Sequence, residues 1–197
     1  MTEAHDHGHH DHDHHHEHVD YGDAIRGYRR GKDEFFRTSE HSPLPPGERA
    51  GFVGLPYFPV DEALRFEELR LEPYAGSEPT SFAIPTSDGR SRPAERAGTF
   101  RFEVADVPCT LTAYIFEDGS TESVFVPFLD GTTGRESYGA GRYLDIDREA
   151  DGTYALDFNL AYHPSCVYDA RFSCPLTPAE NRLAVRIEAG ERLGQPP

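Results

Sequence analysis

The chain is short of lysine, of cysteine and of long apolar runs, and each shortage removes a class of function. Lys32 is the only lysine among 19 basic residues, set against 35 acids for a net charge of −16. The arginines are scattered among those acids. Polyphosphate binding needs clustered cations that displace counterions, so nucleic acid is not expected as a partner. No stretch approaches the roughly 20 apolar residues that span a bilayer, and no basic segment followed by an apolar one opens the chain. No membrane association is expected, and a cytoplasmic location is. Three cysteines, an odd number, argue against a secreted disulfide framework. No glycine-rich phosphate loop follows a strand pattern, because Gly131-Thr132-Thr133-Gly134 lacks the required lysine, so no nucleotide cofactor is expected. An acidic, lysine-poor composition also fits a halophilic protein, whose hydrated carboxylate surface stays soluble in concentrated salt.

What is abundant is histidine, and it is concentrated at one end. Nine of the eleven histidines are His5, His7, His9, His10, His12, His14, His15, His16 and His18, interleaved with Asp6, Asp11, Asp13 and Glu17. Fourteen residues without an apolar member cannot repay the entropy of ordering, so residues 1–19 are expected to be disordered without metal. Imidazole and carboxylate are first-choice ligands for divalent transition metals, with zinc or nickel the expected ions. Binding requires neutral imidazole and should fade below a pH of about 6.5. A purely solvating acidic arm is the alternative, since low-complexity tracts need no dedicated role.

Residues 20–192 read as one β-rich domain, followed by a short tail, 193–197. Tyr21, Ile25, Tyr28, Phe35 and Phe36 fall near helical spacing, which predicts an amphipathic helix over 20–38. Gly22, Gly27 and Gly31 each weaken it by about 1 kcal/mol, so it should hold only by docking its aromatic face. Pro43, Pro45 and Pro46 end it. A short turn follows around 47–52. Gly54-Leu55-Pro56-Tyr57-Phe58-Pro59 reads as a loop whose rings plug one side of the core.

Strand patterns then run over 63–71, 81–85, 99–104, 109–116, 123–128, 138–146, 154–158 and 183–187. Asp118-Gly119-Ser120 marks a hairpin between the fourth and fifth. Seven or eight short strands behind one helix predict an antiparallel barrel or sandwich.

The densest group of polar and special residues lies between 139 and 181. It contains Gly139-Ala140-Gly141-Arg142-Tyr143-Leu144, then Leu156-Asp157-Phe158-Asn159-Leu160-Ala161-Tyr162-His163-Pro164-Ser165-Cys166-Val167-Tyr168, then Phe172-Ser173-Cys174-Pro175-Leu176 and Pro178-Ala179-Glu180-Asn181. With Phe35-Phe36, Ser42-Pro43-Leu44 and the 54–59 loop, these segments resemble the domain of unknown function family 1684 over 32–191. The resemblance implies no activity and carries no catalytic residues across. Where such proteins read Ala-Tyr-Asn-Pro, this chain has Ala161-Tyr162-His163-Pro164.

That histidine opens several readings. His163, Cys166 and Cys174 can supply three of four tetrahedral zinc positions, with Asp157, Asp169 or Glu180 as the fourth. The two cysteines equally suit buried thiols or a regulatory disulfide, and Cys109 reads as a small buried hydrophobe. A hydrolase-like small-molecule enzyme would use Cys166 as nucleophile, His163 as its base and Arg142 as an anion anchor. Arg142, Asp157, Asn159, Tyr162, Glu180 and Asn181 form a candidate ligand pocket at the barrel mouth, the plain alternative being loop anchors. The preferred reading is a non-catalytic protein with a metal-binding arm and a domain that takes a small ligand. An interaction module or scaffold is the third.

Overall fold

The first helix begins where a carboxylate can cap it. In a computed structural model, which describes residues 20–117 and 122–194, α1 spans Tyr21–Thr38 and the Asp20 side chain accepts from the Asp23 N–H at 3.1 Å. It stops where Ser39 turns extended. Ile25 and Phe36 are buried, but Tyr28 and Phe35 stay exposed, so the aromatic face docks only in part. Polar side chains complete the docking. Tyr21 Oη donates to Asp157 Oδ2 at 2.7 Å, Arg29 to the Phe58 carbonyl at 2.9 Å, and Asp33 accepts the Leu55 N–H at 2.9 Å. A single turn, α2 (Pro46–Arg49), follows. In the loop after it Leu55 and Phe58 are buried, as the plug reading expects.

Among the described residues seven strands make two antiparallel sheets, and neither closes into a barrel. β1 (Arg65–Leu69) pairs with β7 (Tyr154–Asp157), with a bulge between Phe66 and Leu69 that puts Glu68 at φ 56°. The larger sheet is a meander of β2 (Ser81–Pro85), β3 (Ser91–Val104), β4 (Val107–Phe116), β5 (Ser123–Phe128) and β6 (Arg142–Asp147). β3 and β4 turn on Ala105 and Asp106, both at positive φ, the geometry that matches the right-handed strand twist. The predicted hairpin residues 118–120 and the histidine-rich arm lie outside the described residues.

One predicted strand is not formed. Residues 183–187 keep the alternation, with Leu183 and Ile187 buried and Ala184 and Arg186 exposed, yet they join no ladder. The chain is tied instead by single bonds: Leu183 N–H to the Leu129 carbonyl, Gly131 N–H to the Val185 carbonyl, and Ile187 N–H to Asp130 Oδ2, each 2.8 Å. A carboxylate stands where a neighbouring strand would offer a carbonyl. The 138–146 strand likewise starts only at Arg142, after a turn with Gly141 at φ 99°.

Alternation gives the large sheet two different faces. Phe100, Phe102, Leu111, Ala113, Val124, Val126, Phe128, Leu144 and Ile146 point to the main core, where they meet Leu156 and Phe158. The intervening residues Tyr114, Phe125 and Tyr143 form a second, smaller apolar cluster with Phe82, Phe116 and Tyr162. This outer cluster builds the site.

Candidate functional site

A cleft of about 320 Å³ opens on the outer sheet face, lined by Tyr114, Phe116, Phe125, Tyr143 and Asp145 from the strands and by Tyr162, Pro164, Cys174 and Pro175 from the loops. The strand alternation aims the first set outward and the loops wall the far side. The rings touch edge to face, Phe125 to Tyr143 at 4.8 Å and Tyr143 to Tyr162 at 5.8 Å between centroids, a geometry their quadrupoles favour. Arg92 lies over the Phe116 ring at 3.9 Å. Tyr162 Oη donates to Asp145 and Tyr143 Oη to the Pro175 carbonyl. Burial pushes both phenols up, and the Asp145 charge adds to the rise at Tyr162, so both are neutral donors at ordinary pH. The cleft is apolar, with a carboxylate and a guanidinium at its edges.

Behind it lies a buried polar network around Glu191. Gly190, at φ 76° and too close to the Ala161 carbonyl for any side chain, turns the backbone so that the Glu191 carboxylate points inward, where it is 1% exposed. Its Oε2 accepts from the His163 N–H at 2.7 Å and from Tyr168 Oη at 3.0 Å. Lys32 Nζ stands 2.6 Å from Oε1, a charge contact not aligned as a hydrogen bond, and 4.7 Å from the Tyr162 ring centroid. His163 Nε2 accepts from the Tyr138 N–H at 3.2 Å, so that nitrogen carries no proton and Nδ1 does, 3.7 Å from Glu191 Oε2. Burial lowers the His163 pKa to about 4, against the pull of Glu191. The ring is neutral at pH 7.

The six residues expected to share a pocket are distributed over separate sets. Arg142 is wholly buried and donates to the carbonyls of Ile187, Ala189 and Glu191 and to Asp130 Oδ1, pinning the 187–191 segment. Its partners are buried protein atoms, and it does not line the outer cleft. Asp157 and Asn159 bind Tyr21 and the backbone at Asp61, joining helix to core. Glu180 takes the Arg96 guanidinium at 2.8 Å and Tyr114 Oη at 2.9 Å. Asn181 bridges Thr112 and Pro127, accepting one backbone bond and donating two. Only Tyr162 lines the cleft. With no barrel closed, the expected mouth does not exist.

The proposed cysteine and histidine metal site is not assembled either. Among the described residues no group of three or more His, Cys, Asp or Glu side chains is placed to hold a metal ion. The Nε2 lone pair of His163 is already taken by Tyr138. Cys166 and Cys174 do meet, the Cys166 N–H donating to Cys174 Sγ at 3.3 Å. Cys109 is buried in the sheet.

Several residues of the site gave little warning. Asp145 and Tyr143 alternate on β6 like any half-buried strand, and Arg92 sits on the long β3 whose first eight residues carry little alternation. Glu191 follows Ala189-Gly190 with nothing to mark it as internal. Lys32 is unique in the chain, and that singularity was the one available signal.

Two open antiparallel sheets, a docked helix and an aromatic outer cleft define a mainly β domain with a small-molecule-sized pocket. The chain belongs to the family described as protein of unknown function (DUF1684), whose model matches residues 50–192. The match begins 18 residues after the start of the resemblance drawn from motifs, leaving Phe35-Phe36 and Ser42-Pro43-Leu44 ahead of it. An uncharacterized protein of Haloarcula marismortui, solved by solution NMR, is 38% identical, covers 86% of this chain and 92% of its own length, and superposes with a TM-score of 0.63. No curated protein matches the chain. Among the described residues no helix is long and apolar enough to cross a membrane.

Proposed function

We propose that this protein is a non-catalytic binder whose domain takes a small amphipathic molecule in the outer cleft. One observation carries the reading: a sheet face that could have been polar instead holds Tyr114, Phe125 and Tyr143 around a cavity of about 320 Å³. Apolar walls with a few convergent polar groups are what small-ligand sites present. A flat apolar body fits against Phe116, Phe125 and Tyr162, while Asp145 and Arg92 select its charged or hydrogen-bonding end. The probe 1-anilinonaphthalene-8-sulfonate, with a flat naphthalene and one anionic group, tests it by amide chemical-shift mapping. Shifts should gather on the outer residues of β4, β5 and β6, and Phe116→Ala should weaken binding at least several-fold. Shifts centred on Tyr28 and Phe35 of α1 would remove the cleft from the account and favour an interaction module.

The second part is the histidine-rich arm, which we read as a ligand for zinc or nickel. Nine imidazoles within fourteen residues support it. Calorimetric titration of the full chain against one lacking residues 1–19 is the test. Full-length protein should bind more ion, and acidification below a pH of about 6.5 should release it. Equal stoichiometry in the two would end this half of the proposal. A hydrolytic reading through His163 and Cys166 has less support, because the imidazole nitrogen that a base would use accepts a backbone N–H. Cytoplasmic location and tolerance of high salt accompany the proposal, the latter supported by the charge of −16.

A further inference from the structure

Cys166 and Cys174 stand at the two ends of a loop that walls the cleft. Cys166 is the middle residue of a 3-10 turn, Ser165–Val167, and is half-buried. Cys174 lines the cleft and is fixed on both sides by Ser87: its N–H donates to Ser87 Oγ at 3.0 Å, and its carbonyl accepts the Ser87 N–H at 2.8 Å. Its sulfur accepts the Cys166 N–H at 3.3 Å. The Cys166 thiol belongs to the same residue as that N–H and itself interacts with the Cys174 thiol, so the two sulfurs are neighbours beside the cleft. Burial pushes the Cys174 thiol up to about 11, opposed by the Cys166 N–H and reinforced by the Cys166 side chain. The two thiols differ in exposure, Cys166 being half-buried and Cys174 buried. Cys109, buried in β4 with its thiol directed at the Val107 carbonyl, has no such partner among the described residues.

We infer that Cys166 and Cys174 form a peroxide-responsive dithiol that closes to a disulfide and staples the loop beside the cleft. The thiolate of Cys166 attacks hydrogen peroxide, the O–O bond breaks, and sulfenic acid forms at Cys166 with release of hydroxide. The Cys174 sulfur then attacks the Cys166 sulfur. The S–O bond breaks as the S–S bond forms, and the departing hydroxyl leaves as water with the Cys174 proton. Two thiols are oxidised and one peroxide is reduced to two waters. The inference stands whether or not the cleft takes a ligand.

The test uses the full chain, treated with about a tenfold excess of hydrogen peroxide at pH 7.5, then unfolded and labelled with N-ethylmaleimide. Reduced protein should take three labels, one for each cysteine, and oxidised protein one, at Cys109. Arg171 lies between the two cysteines, so trypsin separates them unless a disulfide joins the fragments. In Cys174→Ser the reaction should stop at sulfenic acid, captured on Cys166 by dimedone. Three labels retained, or Cys166 oxidised to sulfinic acid while Cys174 still takes label, would overturn the inference.

Discussion

His163 makes a pH dependence that one substitution can isolate. Its pKa in the fold is about 4, held down by burial, against about 6.5 for an unfolded histidine. Above 6.5 neither state takes a proton there. Between 6.5 and 4 the unfolded chain binds one and the folded chain does not, so stability falls as pH falls through that window. The difference reaches about 2 kcal/mol by pH 5 and about 3 kcal/mol by pH 4. Carboxylates titrate over the same range, so the quantity to measure is the difference between the protein and His163→Gln, whose Oε1 reaches about as far as Nε2 and can accept the Tyr138 N–H. Urea unfolding at pH 7.5 and pH 5 should show the native midpoint falling by about 1 M more than the variant's, for a slope near 2 kcal/mol per M. His163→Asn, the residue that resembling proteins carry, should behave like the glutamine. Parallel pH profiles for all three would mean that His163 protonates freely in the fold, and the buried neutral imidazole would be wrong.

Other substitutions test the remaining buried groups. Lys32→Met strips the cation from a carboxylate that is 1% exposed, and should cost about 3 kcal/mol in urea unfolding, while Lys32→Met with Glu191→Gln should recover much of it. Asn181→Ala leaves the Thr112 N–H and the Thr112 and Pro127 carbonyls unpaired in a buried place, a loss of about 3 kcal/mol or more, read as a lower melting temperature. Raising KCl from about 0.15 to 2 M screens the self-repulsion of 35 acids against 19 bases, and should raise the melting temperature by roughly 5 °C or more. An unchanged or falling value would separate the acidic composition from salt tolerance.

The strands were legible where alternation or a short apolar run survives, as in Phe100 to Val104, and the 81–85 and 123–128 segments appear with the predicted bounds. Alternation reports burial, not pairing. Residues 183–187 show the gap between the two, since their apolar side chains enter the core while Asp130 takes the place of a ladder. The candidate pocket was less legible for a related reason. Arg142, Asp157, Asn159 and Asn181 are polar residues in an apolar pattern, which marks burial but does not distinguish a ligand's partner from a backbone's. Asp157, Asn159 and Asn181 find protein partners, and Arg142 spends its two Nη groups on backbone carbonyls and Asp130 while its buried Nε stays unpartnered. Chain order also hides Glu191, which reaches His163 across 28 residues.

Apart from Tyr162, the polar residues that drew notice hold the fold, and the side chains that build the cleft are mostly ordinary aromatics on the sheet's other face. This division of labour follows from the pleat. Residues of β4, β5 and β6 that face inward must satisfy the main core, so Leu111, Val126 and Leu144 are confined by packing on every side. Their outward neighbours meet one another, the 162–175 loop, and a few side chains beyond it, Phe82, Arg92 and Glu180. A change at Phe116, at the rim of the cleft, therefore removes contact surface without opening a void in the main core. Phe116→Ala should lower dye affinity while moving the urea midpoint far less than Phe128→Ala, which truncates a ring with no exposure and should cost at least about 3 kcal/mol. Equal losses of stability at the two positions would show that the outer cluster is a second core, and the cleft a flaw in its packing.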